Sequence, residues 1–205
     1  MATSTFNGPV RSEKGFQQIS KSANGTITVT SGAKMATEAT ASAGIEGTAA
    51  VYITQVNRLK SDVDTNVNIV KTTIMIDLTG LKDGGTAGDI IGKDGSGVAF
   101  IGKVTTANQG TVFGVTMTCL ETPAGGSTDI DLFSATEGTG VNDTAIGDLT
   151  ETQIINAGAA SAGTVVAGGD IAADQFLYLV SQGTGDATYT AGRFLIEITG
   201  FDAAS

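Results

Sequence analysis

The chain has 205 residues, 40% hydrophobic and 16% charged, which gives enough apolar material for a core and too little charge for wholesale disorder. Its formal net charge of −10 repels phosphate, and its 11 basic residues form no cluster, so a nucleic-acid partner is excluded. No apolar run is long enough to span a bilayer and the first residues do not read as a signal peptide, so a membrane partner is not expected.

Residues 1–25 differ in texture from the rest. The stretch Phe6-Asn-Gly-Pro-Val-Arg-Ser-Glu-Lys-Gly-Phe16 holds no lasting period, and Gly8 and Pro9 disfavour regular structure. Phe6, Val10 and Phe16 are apolar anchors along it. Two readings fit: an extended arm that docks on a partner, or a segment folded against its own domain. Residues 26–205 read as one β-sandwich domain.

Within that domain, Thr26–Thr30 alternates as a short strand, and 31–47 is a small-residue loop or a short frayed helix. Ala49–Val56 is a strand, and 57–66 a polar hairpin tip. Val67–Thr79 is the longest strand, expected to be central and covered on both faces because its second half is almost all apolar. The Gly- and Asp-rich 81–97 holds a small strand at Asp89–Ile91. Val98–Thr105 is expected to pair with Gly110–Leu120 as a hairpin through 106–109. Pro123 and Gly125-Gly126 end that strand, and Thr128–Phe133 starts another. Residues 134–148 are a polar loop, and 149–155 suit a helical turn or two.

Gly163–Ala167 is a short strand leading into a final hairpin, Gln175–Ser181 against Thr188–Thr199. In its second arm Phe194, Ile196 and Ile198 share one face, while Arg193, Leu195, Glu197 and Thr199 share the other, polar apart from the leucine. With 29 glycines and frequent turn signals, the reading is all-β: an antiparallel β-sandwich or jelly-roll-like domain with an extended N-terminal arm.

The chemistry such a chain can host is narrow. It has no histidine and one cysteine, which removes imidazole-based nucleophile pairs and thiolate metal cages. Cys119 sits in an apolar strand and reads as a buried, inert thiol. Carboxylate pairs are available among 21 acidic residues, but tryptophan is absent and sugar clefts stack on aromatic rings. Gly97-Val-Ala-Phe-Ile-Gly-Lys103 has phosphate-loop spacing, yet Val104 follows the lysine where a hydroxyl is needed, and no helix is expected after it. Gly84–Gly92 nearly matches a calcium nonapeptide, once only, where stacked copies are required. Asp83, Asp89 and Asp94 read as solvated turn residues, with a loop-bound hard cation as the lesser alternative. Asn24-Gly-Thr26 and Asn142-Asp-Thr144 read as surface turns. Neither a cofactor nor a resident metal is expected.

Three stretches together carry a resemblance: Phe6–Phe16; Met117-Thr-Cys-Leu-Glu-Thr-Pro-Ala-Gly-Gly126 running into Asp129–Glu137; and Asp174–Leu179 with Tyr189–Ile196. The set resembles virion structural proteins of tailed bacteriophages, especially head decoration (cement) proteins of short-tailed marine phages. The resemblance implies a β-rich, non-enzymatic homotrimer on the capsid exterior, assembled in the host cytoplasm, with the major capsid protein as partner. In that setting Phe6, Asn7, Gly8, Pro9, Val10, Arg11 and Phe16 form the capsid-binding arm, adding a strand to a neighbour's sheet edge. The alternative is a host-facing head-fibre, tail or adhesin component that binds a cell-surface glycan.

Overall fold

The computed structural model describes the backbone of 17–21, 27–32, 42, 44–45, 49–57 and 67–203, and the side chains of 42, 44, 45 and 69–201. The fold is all-β and antiparallel, with strands β1 (Gln17–Lys21), β2 (Ile27–Gly32), β3 (Ala49–Asn57), β4 (Val67–Asp77), β5 (Asp89–Ile90), β6 (Gly102–Lys103), β7 (Thr111–Ala124), β8 (Ile130–Ala135), β9 (Glu151–Ile155), β10 (Val165–Gly168), β11 (Phe176–Ser181) and β12 (Ala191–Ala203). Strands β1 and β2 pair antiparallel as a two-stranded ribbon.

The body is a sandwich of two five-stranded sheets. Sheet I runs β10-β7-β12-β4-β3; sheet II runs β5-β11-β8-β9, with β6 also paired to β11. Their inward faces share one core, with Ile74, Ile76, Val115, Met117, Phe194 and Ile196 from sheet I, and Ile130, Leu132, Leu177 and Leu179 from sheet II. The alternation read along 194–198 is present: Phe194, Ile196 and Ile198 are buried.

Two expected pairings and one expected helical turn are not formed. Gln175–Ser181 and Thr188–Thr199 are not a hairpin, because β11 pairs β5, β6 and β8 while β12 pairs β4 and β7. The connection crosses from one sheet to the other, so each strand buries its apolar face against the opposite layer. Nor do 98–105 and 110–120 pair. Between them α1 (Thr106–Gln109) turns the chain across, N-capped by Thr105, whose Oγ1 accepts from Asn108 N–H at 3.3 Å. Finally, 149–155 forms β9 rather than a helical turn, after a single 3-10 turn at Ile146–Asp148. Asp131 holds that strand in place, accepting from Gln153 Nε2 at 2.8 Å and Ala157 N–H at 2.9 Å.

Sheet II is covered on both sides. Every residue of β8 is buried, as is β11 from Leu177 to Ser181. Tyr178 lies under the 136–149 loop, donating from its hydroxyl to Glu137 O at 2.8 Å and accepting from Gly140 N–H at 3.3 Å. The free edge of β11 is used up as well: Gly88, Ile91, Ile101 and Val104 donate backbone N–H groups to Ser181, Leu179, Leu177 and Gln175. An edge closed in this way offers no template for another strand.

Candidate interaction surface

Sheet I differs in that, among the described residues, the outward face of β10, β7, β12 and β4 is exposed or half-buried. Along β4 the pattern from Lys71 to Asp77 alternates between exposed or half-buried and buried positions, and Met75 is 44% exposed. The strand is central by pairing, as expected, but it is covered on one face only. The apolar run Thr72–Leu78 misled because Met75 is an outward residue set between inward isoleucines.

All five exposed large apolar side chains among the described residues lie on this sheet: Met75, Phe113, Leu120, Val165 and Phe201. Two of them are outward because β7 carries β-bulges. The register steps from Phe194↔Cys119 to Arg193↔Glu121, leaving Leu120 as an extra residue, and from Thr199↔Gly114 to Gly200↔Val112, leaving Phe113 extra. A bulge re-aims a side chain and deepens the local twist. The second bulge is fixed from inside: a Cβ on Gly200 would lie 2.0 Å from Gln109 O, so only glycine fits. Gln109 is itself anchored, its Nε2 donating to Thr72 Oγ1 at 3.3 Å and its Oε1 accepting from Thr105 N–H at 2.8 Å.

The registers order this face into bands. At one end Val165, Thr118, Leu195 and Met75 form a cross-strand row, with Leu120 beside it. At the other end Phe113 and Phe201 meet with ring centroids 6.2 Å apart. Between them lies a polar band of Thr116, Glu197, Thr73 and Lys71, with Lys71 ion-paired to Glu197. Arg193 closes the upper corner, its Nε 3.0 Å from Asp77 Oδ2 and 3.6 Å from Glu121 Oε2. Hydrogen bonds from Thr79 and then the Arg193 charge hold the Asp77 carboxyl below the ordinary carboxylate range. The two cations and three anions of these pairs leave a net −1 on the face, against −10 for the chain. Leu195 was the one legible signal, as the apolar exception on the polar side of its strand.

The residues singled out for chemistry have structural roles instead. Asp83 and Asp89 are not solvated: they are 1% and 6% exposed. Asp83 accepts from Ala187 N–H at 2.7 Å and Ser127 N–H at 2.8 Å, tying three loops together, and Asp89 accepts from Thr86 N–H at 2.7 Å. Asp94 is exposed and pairs with Lys82 at 3.4 Å. Lys103 of the phosphate-loop mimic is engaged by Asp174 at 3.1 Å and lies over the Phe176 ring, and the one-turn α1 follows it where no helix was expected. Cys119 is buried, donates to Glu121 O at 3.2 Å, and burial pushes its thiol up. Asn142 lies in a turn near the surface, as read, and its Nδ2 donates to Lys82 O and Ile90 O, both at 3.2 Å. Phe6, Asn7, Gly8, Pro9, Val10, Arg11, Phe16 and the Asn24 sequon lie outside the described residues.

Among the described residues, no group of three or more His, Cys, Asp or Glu side chains is placed to hold a metal ion, and no helix is long and apolar enough to cross a membrane. Comparison with protein-family models, curated proteins and solved structures finds no match.

Proposed function

We propose that the chain is a structural component that works by surface fit: a phage head decoration protein that sits on the capsid exterior and clamps neighbouring capsid subunits. The resemblance carried by Phe6–Phe16, Met117–Glu137 and Asp174–Ile196 supports this reading. So does the asymmetry of the sandwich, in which one sheet is sealed on both sides while the other displays apolar ends and internally paired charges. That uncovered face is the observation that carries the proposal, because a monomer with no partner has no use for five large exposed apolar side chains on one sheet. Its partners are the major capsid protein and further copies of itself. Stabilisation comes from interface area added across subunits and multiplied by valency. The segment Phe6–Phe16 supplies the capsid contact, with Arg11 as its charged group.

The test is to mix the purified chain with undecorated heads and pellet them. Saturable, stoichiometric co-pelleting is expected, and loss of it when residues 2–16 are deleted. Binding to host cells or polysaccharide instead of heads would replace this reading with that of a host-facing adhesin.

A further inference from the structure

We infer that Ser42, Gly44 and Ile45 form a strap, which docks as an added strand on the 98–100 edge and opens as a unit of its own while the body stays folded. The inference goes beyond the proposed function and does not depend on it.

The strap bonds to that edge as one antiparallel strand bonds to another. Ser42 N–H donates to Phe100 O at 3.2 Å and Gly44 N–H to Val98 O at 2.8 Å, so donors two residues apart meet acceptors two residues apart. The Ser42 hydroxyl adds a bond to Phe100 O at 2.8 Å, and Lys93 N–H donates back to Gly44 O at 2.7 Å. Gly44 is needed for this approach, since a Cβ there would lie 2.6 Å from Val98 O and 3.0 Å from Gly97 O. Ile45 then turns inward. Its amide donates to Ser42 O at 2.9 Å and its side chain is fully buried in the core. The edge itself is held by other parts of the body: Ala99 N–H donates to Gly140 O and Ile101 N–H to Leu177 O, each at 2.8 Å. It therefore keeps its place when the strap leaves.

The strap can open alone because it is pinned lightly. In the sequence Ile45 is the one large apolar residue between Met35 and Val51; the rest are Ala, Thr, Ser, Gly and Glu. The strap thus enters the core with a single large side chain, whereas β8 and β11 each bury a continuous run. Stability is graded across a fold, and a short segment with one anchor and a few edge bonds belongs at its low end. The device sets a tether. Docked, the strap fixes the chain on the 98–100 edge. Open, it leaves β3, from Ala49, as the next point of attachment and bares Val98 O and Phe100 O, an edge to which a strand can add.

Residue-resolved hydrogen exchange on the full chain tests this. In the wild type the amides of Ser42, Gly44 and Lys93 should be protected, yet exchange about 100-fold faster than those of Ile91 and Ile101, which donate to β11. Ile45→Ala should speed the first set by about 10-fold or more and leave the second within about 2-fold. Gly44→Val should bring the Ser42 and Lys93 amides to the unprotected rate with the second set unmoved. If a variant fails to fold, the wild-type pattern alone decides. Two sets that exchange in step, in the wild type or in a folded variant, overturn the inference, because the strap then opens only with the body. Unprotected Ser42 and Gly44 amides in the wild type overturn it as well, because no strap is then docked.

Discussion

The two sheets of this sandwich are built from similar residues and treated in opposite ways. Sheet II has its outer face under the 136–149 loop, its edge bonded to 88–104, and its polar groups tied inside, with Asp131 on Gln153 and Ala157 N–H. Sheet I has its charges outside and paired with one another, Lys71 with Glu197 and Arg193 with Asp77. The difference shows that burial in this fold is set by where the loops go. The long connections of 78–104 and 136–149 lie on or beside sheet II, and among the described residues none covers the outward face of sheet I.

The largest consequence is energetic. Leu179→Ala in sheet II, at a site with no exposure, should cost about 3–4 kcal/mol in denaturant unfolding. Met75→Ala on the open face should stay within about 0.5 kcal/mol for the isolated chain. Comparable losses at both sites would erase the distinction between the sheets. Next is Asp83→Ala, which strands the N–H group of Ser127 and leaves Ala187 N–H only its bond to Gly185 O, and should cost about 1–3 kcal/mol. A loss below about 0.5 kcal/mol would mean that water replaces the carboxylate there.

The pH responses of the two sheets should have opposite signs. Asp129, next to sheet II, has a buried Oδ1 with no hydrogen-bond partner; burial first, and Asp131 second, push its carboxyl up. A carboxyl raised in the folded state weakens folding while it is ionised, and the penalty disappears as pH falls below its unfolded value. Asp129→Asn should therefore raise the unfolding midpoint at neutral pH and make no difference in acid. Asp77 on sheet I is held down by Thr79 and Arg193, so its contribution is present above its unfolded value and is lost as pH falls through its folded one. Asp77→Asn should lower the midpoint at neutral pH and lose that effect in acid. Thermal melts across the pH range would read both. The smallest effect is at Tyr189, whose hydroxyl is buried without a partner while the neighbouring Ser181 Oγ accepts from Gly183 N–H. Tyr189→Phe should leave stability unchanged or raise it by up to about 1 kcal/mol.

The class of fold was legible because period-two alternation is a local signal; it located β4, β7, β11 and β12 and the inward set Phe194, Ile196 and Ile198. Pairing was not legible. Gln182–Ala187 has the chemistry of a hairpin turn, yet it joins two sheets, and nothing local distinguishes a turn within a sheet from a crossover between sheets. The same holds for Thr106–Gln109. The open face was half legible: Leu195 stood out, but Leu120 and Phe113 turn outward only because bulges shift their register, and a bulge is set by the partner strand. Asp83 was misread because the N–H groups it caps belong to residues 44 and 104 positions away.

The account depends on the two faces of sheet I being different, and two methionines on that sheet report them separately. Met75 is 44% exposed on the outward side and Met117 is 2% exposed on the inward side. Mild peroxide oxidation followed by mass spectrometry should convert Met75 rapidly and leave Met117 resistant while the chain is folded. Equal rates at the two residues in the folded protein would contradict it.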